Sequence, residues 1–124
     1  MRVRIAVAVA VTALVSVGAA SAFSSATTPT LKGTVGPGFT ISLRDAKGKL
    51  VKTLKAGTYK FVITDKANIH TFSLKALKGA KFNKDLTTDT FQGTKTVKVK
   101  LTKGKWQYYC AVHPTEMFGN FTVK

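Results

Sequence analysis

Four side chains in this chain can bind a soft metal ion, and they include every histidine, every cysteine and the one methionine besides Met1. Three form a tight run, Cys110-Ala111-Val112-His113-Pro114-Thr115-Glu116-Met117, with the spacing C-x2-H-x3-M. The fourth, His70, stands well upstream in Asn68-Ile69-His70-Thr71-Phe72. Two imidazoles, one thiolate and a weak thioether are the donors that suit a blue-copper electron-transfer centre. Each residue alone has a plainer reading: a strand histidine satisfied by a carbonyl, a buried thiol, a packing methionine. A zinc site built on C-x2-H normally adds further cysteines or histidines, and none remain. Taken together, the residues predict one metal site, with a deprotonated Cys110 and two neutral imidazoles, so that acid should release the metal.

Such a site needs strands to carry its ligands to a common point. Phe39, Ile41 and Leu43 alternate with polar residues, which predicts a half-buried strand, followed by a turn at 46–49 and a return over 50–54. Residues 58–64 are aromatic and β-branched, again a strand. A strand over 70–74 would place His70, Phe72 and Leu74 on one face, with Thr71 and Ser73 on the other. Val97, Val99 and Leu101 alternate with Lys98 and Lys100. Trp106, Tyr108 and Cys110 share a face, and 118–123 closes the chain. Residues 76–92 are the least regular, suited to a short helical turn or a long connection. Short strands divided by Gly, Lys and Asn turns predict an all-β sandwich. Cys110 would end a strand, His113 would follow in a tight loop stiffened by Pro114, and Met117 would precede the next strand. Ala111, Val112, Pro114 and Phe118 would form an apolar collar around His113.

From Gly57 to Lys124 the chain resembles the cupredoxins, small blue-copper proteins related to plastocyanin and amicyanin. The resemblance rests on the His70-Thr71-Phe72 strand, the Tyr109-Cys110 strand end, the C-x2-H-x3-M loop and the final strand Phe118-Gly119-Asn120-Phe121-Thr122-Val123. It implies a Greek-key β-sandwich with one Cu(I)/Cu(II) ion at its end. It also implies His70, Cys110 and His113 as strong ligands and Met117 as a long axial one; from this sequence itself, the carboxylate of Glu116 beside Met117 is an alternative axial donor. The loop is intermediate in length between plastocyanin-like and amicyanin-like loops. Thr71 stands where many relatives carry an asparagine that ties the ligand strands together.

The first 22 residues read as a secretory signal peptide: a basic start at Arg2 and Arg4, an apolar stretch, and Ala20-Ser21-Ala22 as a small-x-small cleavage site. A flexible leader over 23–30 and one domain over 31–124 would follow. Export to the periplasm, the cell envelope or the extracellular space leaves the single cysteine to explain, and metal ligation explains it. The formal charge of +15 belongs to the whole chain; loss of Arg2 and Arg4 lowers it to +13. That charge suits an acidic redox partner docking near His113, or electrostatic association with an anionic envelope. Most lysines are solvated strand faces that also guard sheet edges. The expected product is a monomeric electron shuttle and not an enzyme. Its rivals are a copper carrier and a metal-free basic adhesion module. With both histidines used, a multicopper oxidase or nitrite reductase is excluded. No Ser-His-Asp or paired-carboxylate arrangement is present, and export argues against nucleic acid.

Overall fold

The computed structural model describes Gly18 and residues 27–124. The expected signal peptide (Gly18 apart) and the first part of the expected leader lie outside the described residues. Nine strands follow in order: β1 Thr30–Val35, β2 Ile41–Asp45, β3 Thr53–Leu54, β4 Gly57–Asp65, β5 Phe72–Lys78, β6 Asn83–Thr87, β7 Gly93–Leu101, β8 Gly104–Tyr109 and β9 Phe118–Val123. One sheet has the order β2-β1-β4-β7 and the other β3-β9-β8-β5-β6. β1 runs parallel to β4, and β3 parallel to β9, while the other neighbours are antiparallel. The expected all-β sandwich is the observed architecture.

Period-two alternation drives the packing. Phe61, Ile63, Val99 and Leu101 turn inward from the first sheet, and Phe72, Leu74, Trp106 and Phe121 meet them from the second. Stripping such side chains of water is the main favourable term in folding, about 1.5–3 kcal/mol for each fully buried one. Phe72 and Tyr108 stack at 5.9 Å with an interplanar angle of 10°. Two glycines make room for this pair. A Cβ on Gly33 would lie 2.8 Å from Phe72 Cε2, and one on Gly119 would collide with the ring and hydroxyl of Tyr108.

Three expectations need correction. The leader expected over 23–30 ends a residue early, since Thr30 opens β1, a strand to which the sequence reading assigned no element because Gly33 interrupts its apolar alternation. The irregular 76–92 region contains no helix but an edge strand, β6, whose Asn83, Lys84 and Asp85 are exposed. A polar outer strand carries no apolar period and blunts an open edge. Finally, the return over 50–54 is a change of sheet. Leu50 makes only a single bridge to Arg44, and Thr53 and Leu54 then pair with β9 in the other sheet.

Strand directions gather the β1–β2, β4–β5, β6–β7 and β8–β9 connections at one end of the sandwich. The remaining connections lie at the opposite end.

Candidate metal centre

The tyrosine-rich end of β8 delivers the sulfur. Trp106, Tyr108 and Cys110 alternate inward, and Cys110 follows directly on the last residue of β8 with no exposed surface. The loop after it is closed by its own backbone. The N–H of Cys110 donates to Met117 O at 2.9 Å, and the N–H groups of His113, Glu116 and Met117 donate to Cys110 O or His113 O at 3.0–3.2 Å. This compact turn returns the chain to β9 and keeps the His113 ring beside the thiol.

His70 arrives from the β4–β5 connection, two residues ahead of β5, and is fully buried. Its Nδ1 lies 3.8 Å from Cys110 Sγ, and the Nδ1 of His113 lies 3.9 Å from the same sulfur. The three donor atoms all fall within 4.8 Å of one another. The other ring nitrogen of His70, Nε2, is 3.4 Å from Pro37 O. A carbonyl only accepts, so this contact assigns the ring proton to Nε2 and leaves the Nδ1 lone pair facing the sulfur. Gly36 supplies the necessary backbone, with φ of 73° in the left-handed region, and a Cβ there would stand a tight 3.2 Å from His70 Cδ2.

Thr71 binds the two halves of the site together. Its N–H donates to Cys110 Sγ at 3.3 Å, and its hydroxyl oxygen accepts the N–H of Ala111 at 2.7 Å. The same hydroxyl bonds to Ser73 Oγ, which in turn donates to Asp85 on β6. Thr71 and Ser73, expected on an outer face, are thus buried in a polar chain under the loop. A second brace crosses between the sheets. Thr87 Oγ1 accepts the N–H of Phe72 at 2.8 Å and donates to Asp65 Oδ2 at 3.1 Å. Burial pushes the Asp65 carboxyl above its usual range, opposed by the Ala67 N–H and the Thr87 hydroxyl.

Met117 is buried, with 1 % exposure, whereas Glu116 beside it is exposed. Of the four residues singled out from the sequence, His70, Cys110 and His113 are brought together atom to atom, and Met117 is packed inside at the mouth of β9. Sequence reasoning missed Phe39. Expected to face the core, it is 61 % exposed and sets its ring edge-on to both imidazoles, 4.7 Å from His113 and 5.9 Å from His70 between centroids. No local pattern signals this, because the Gly36–Thr40 turn carries Phe39 out of the alternation of β2. Val112 and Phe118 are also half exposed, at 49 % and 48 %, and Ile69 at 54 % joins them from the β4–β5 connection.

The donor chemistry fits one soft, imidazole- and thiolate-bound ion. Two imidazole nitrogens and a sulfur converge on one point, and the Cys110 side of it is closed to water. No protein-family model matches the chain, and no curated protein matches it. Solved structures do. A rusticyanin structure described as a copper protein is 20 % identical, covers 77 % of this chain and 76 % of its own, and superposes with a TM-score of 0.50. Reduced rusticyanin matches at 20 % identity over 77 % of this chain and 78 % of its own, also with a TM-score of 0.50. Rusticyanin is a cupredoxin, and on this likeness and its two-sheet topology the chain has the cupredoxin fold.

Proposed function

We propose that the chain is an exported blue-copper protein that passes single electrons between redox partners and catalyses no reaction of its own. The observation that carries this reading is the convergence of His70 Nδ1, His113 Nδ1 and Cys110 Sγ within 4.8 Å at one end of a cupredoxin fold. These three residues would hold one copper ion, and Met117, buried where Glu116 is exposed, would supply the weak fourth donor. Copper would supply a one-electron couple there. The rest is positioning. Thr71 limits movement of the sulfur, the Pro37 carbonyl fixes the His70 ring, and the closed Cys110–Met117 loop holds His113 in place. A frame that resists rearrangement lets one geometry serve both oxidation states.

His113 is the ligand nearest solvent, and Phe39, Ile69 and Val112 provide an apolar face around it. A redox partner would dock there briefly, through apolar contact. The net positive charge favours an acidic partner at long range. The copper-carrier reading uses the same ligands, and no observation favours it.

Adding Cu(II) to the purified protein and recording the visible and electron-paramagnetic-resonance spectra tests the centre. An intense thiolate-to-copper band near about 600 nm, with a narrow copper hyperfine splitting, is expected. Its persistence in Cys110→Ser, or its absence from the native protein, would overturn the proposal.

A further inference from the structure

The fold sorts charge along its long axis. At the end that holds His70, Cys110 and His113, the four connections carry one lysine, Lys66, against Asp89 and Glu116. The four connections at the opposite end carry Lys47, Lys49, Lys52, Lys55, Lys81 and Lys103 and no acid. Asp45, at the end of β2, is engaged within its own turn, where its Oδ1 accepts the N–H groups of Lys47 and Lys49.

The outer face of the first sheet continues the pattern. Lys32 stands directly opposite Arg44 and Lys60 directly opposite Lys98, with Lys100 next along β7 toward the same end. Like charges opposed across a sheet are destabilising, and no carboxylate faces outward between them. Nearer the metal centre, the outward positions of the same strands are Ser42, Thr34, Thr64 and Thr94, all uncharged. The sequence tolerates local repulsion at one end and thins its cations to Lys66 and Lys95 near the other, a pattern expected of a surface with a use.

We infer that the lysine end seats on an anionic phospholipid surface, holding the metal centre away from the bilayer. Three features favour a bilayer over other anions. The cations come from four different connections that meet at one sandwich end, a spread face and not a track that would follow one polymer strand. Leu50 and Leu77, 44 % and 46 % exposed, stand beside Lys49 and Lys78 and suit shallow contact with a headgroup layer. The exposed aromatics that anchor protein interfaces, Phe39 and Phe118, lie at the other end. The chain also enters the domain on this side, at Thr30. None of this depends on the identity of the metal.

Co-sedimentation with vesicles tests the surface, using phosphatidylcholine alone and equal parts phosphatidylcholine and phosphatidylglycerol. Binding only to the second, falling steeply with added salt, is expected. The triple variant Lys47→Gln, Lys49→Gln, Lys55→Gln should partition on the order of a hundredfold more weakly, about fivefold per lysine. The double variant Lys66→Gln, Lys95→Gln, altered near the metal end, should change less than about twofold, since charges beyond a Debye length are screened. Far-UV circular dichroism checks that both variants are folded. Amine-acylation footprinting on vesicles should protect Lys47, Lys49 and Lys103 but not Lys66. No binding to the anionic vesicles, or equal losses in the two variants, would overturn the inference. So would binding to inorganic polyphosphate without binding to vesicles, which would assign the end to a linear polymer.

Discussion

The backbone N–H of Thr71 points at the sulfur of Cys110 across 3.3 Å while the Thr71 hydroxyl takes the N–H of Ala111, the next residue in the chain. One residue therefore holds both the Cys110 sulfur and the loop that follows it, and it stands beside His70. Thr71 does this with its own N–H and a single hydroxyl. It manages because Ser73 and Asp85 extend the hydrogen-bonded chain beneath it.

Thr71→Val should leave the Ala111 N–H without its acceptor and remove one of the two partners of the buried Ser73 hydroxyl. A loss of about 1–3 kcal/mol in unfolding free energy is expected from urea denaturation. Thr71→Ser, which keeps the oxygen, should lose less than half of that. Equal losses in the two variants would mean that the methyl group, not the hydroxyl, matters.

Gly119→Ala should displace the Tyr108 ring from its place over β9 and with it the stack on Phe72. Overpacking of this kind costs about 1–3 kcal/mol. The near-UV circular-dichroism signal of the tyrosines should change, while the far-UV spectrum is kept. The companion change Gly33→Ala pushes on the other side of the same stack, so the two costs should not add.

Alkaline titration should find two late tyrosines. Burial raises Tyr108 and Tyr109 above the usual value of 10.0, against the opposing bonds from Leu43 and Asn83 respectively. A phenol whose folded pKa is raised holds its proton more tightly in the folded chain than in the unfolded one. Stability conferred by these groups is therefore complete below pH 10 and declines as pH rises from there to the raised values. Tyrosinate absorbance and the unfolding midpoint should shift over the same interval, and Tyr109→Phe should remove part of both.

Asp65 should act with the same sign at low pH. Its carboxyl is raised above 3.8 by burial, so the folded chain binds that proton more tightly, and the contribution of this group weakens as pH climbs from 3.8 to the raised value. Asp65→Asn keeps an acceptor for Thr87 and removes the titration. Unfolding free energy measured between pH 3 and pH 6 should then lose that downward component; an unchanged profile would show that Asp65 does not titrate there.

Phe39→Ala should open the approach to both imidazoles, since the ring packs edge-on against each. On the blue-copper reading, transfer of copper to a chelator should quicken several-fold with little change in the visible band. Unaltered release would mean that Phe39 serves only as part of the apolar face.

Residue types and short spacings determined which side chains are candidate ligands. Cys110, His113 and Met117 are close in sequence, a loop that short can hardly do other than cluster them, and nothing else in the chain could take a soft metal. The inward stripes of β4, β7 and β8 were legible for the same reason, since period-two alternation is a local property. Tertiary structure alone decided the rest. His70 meets Cys110 because β5 pairs with β8 in a register that places Ser73 opposite Tyr109. β6 shows no apolar period, so only its pairing with β5 makes it a strand. Phe39 leaves its alternation at a glycine turn, and the lysines separate from the metal centre because strand direction assigns each turn to an end. Register and direction come from partners distant in sequence, and no window along the chain contains them.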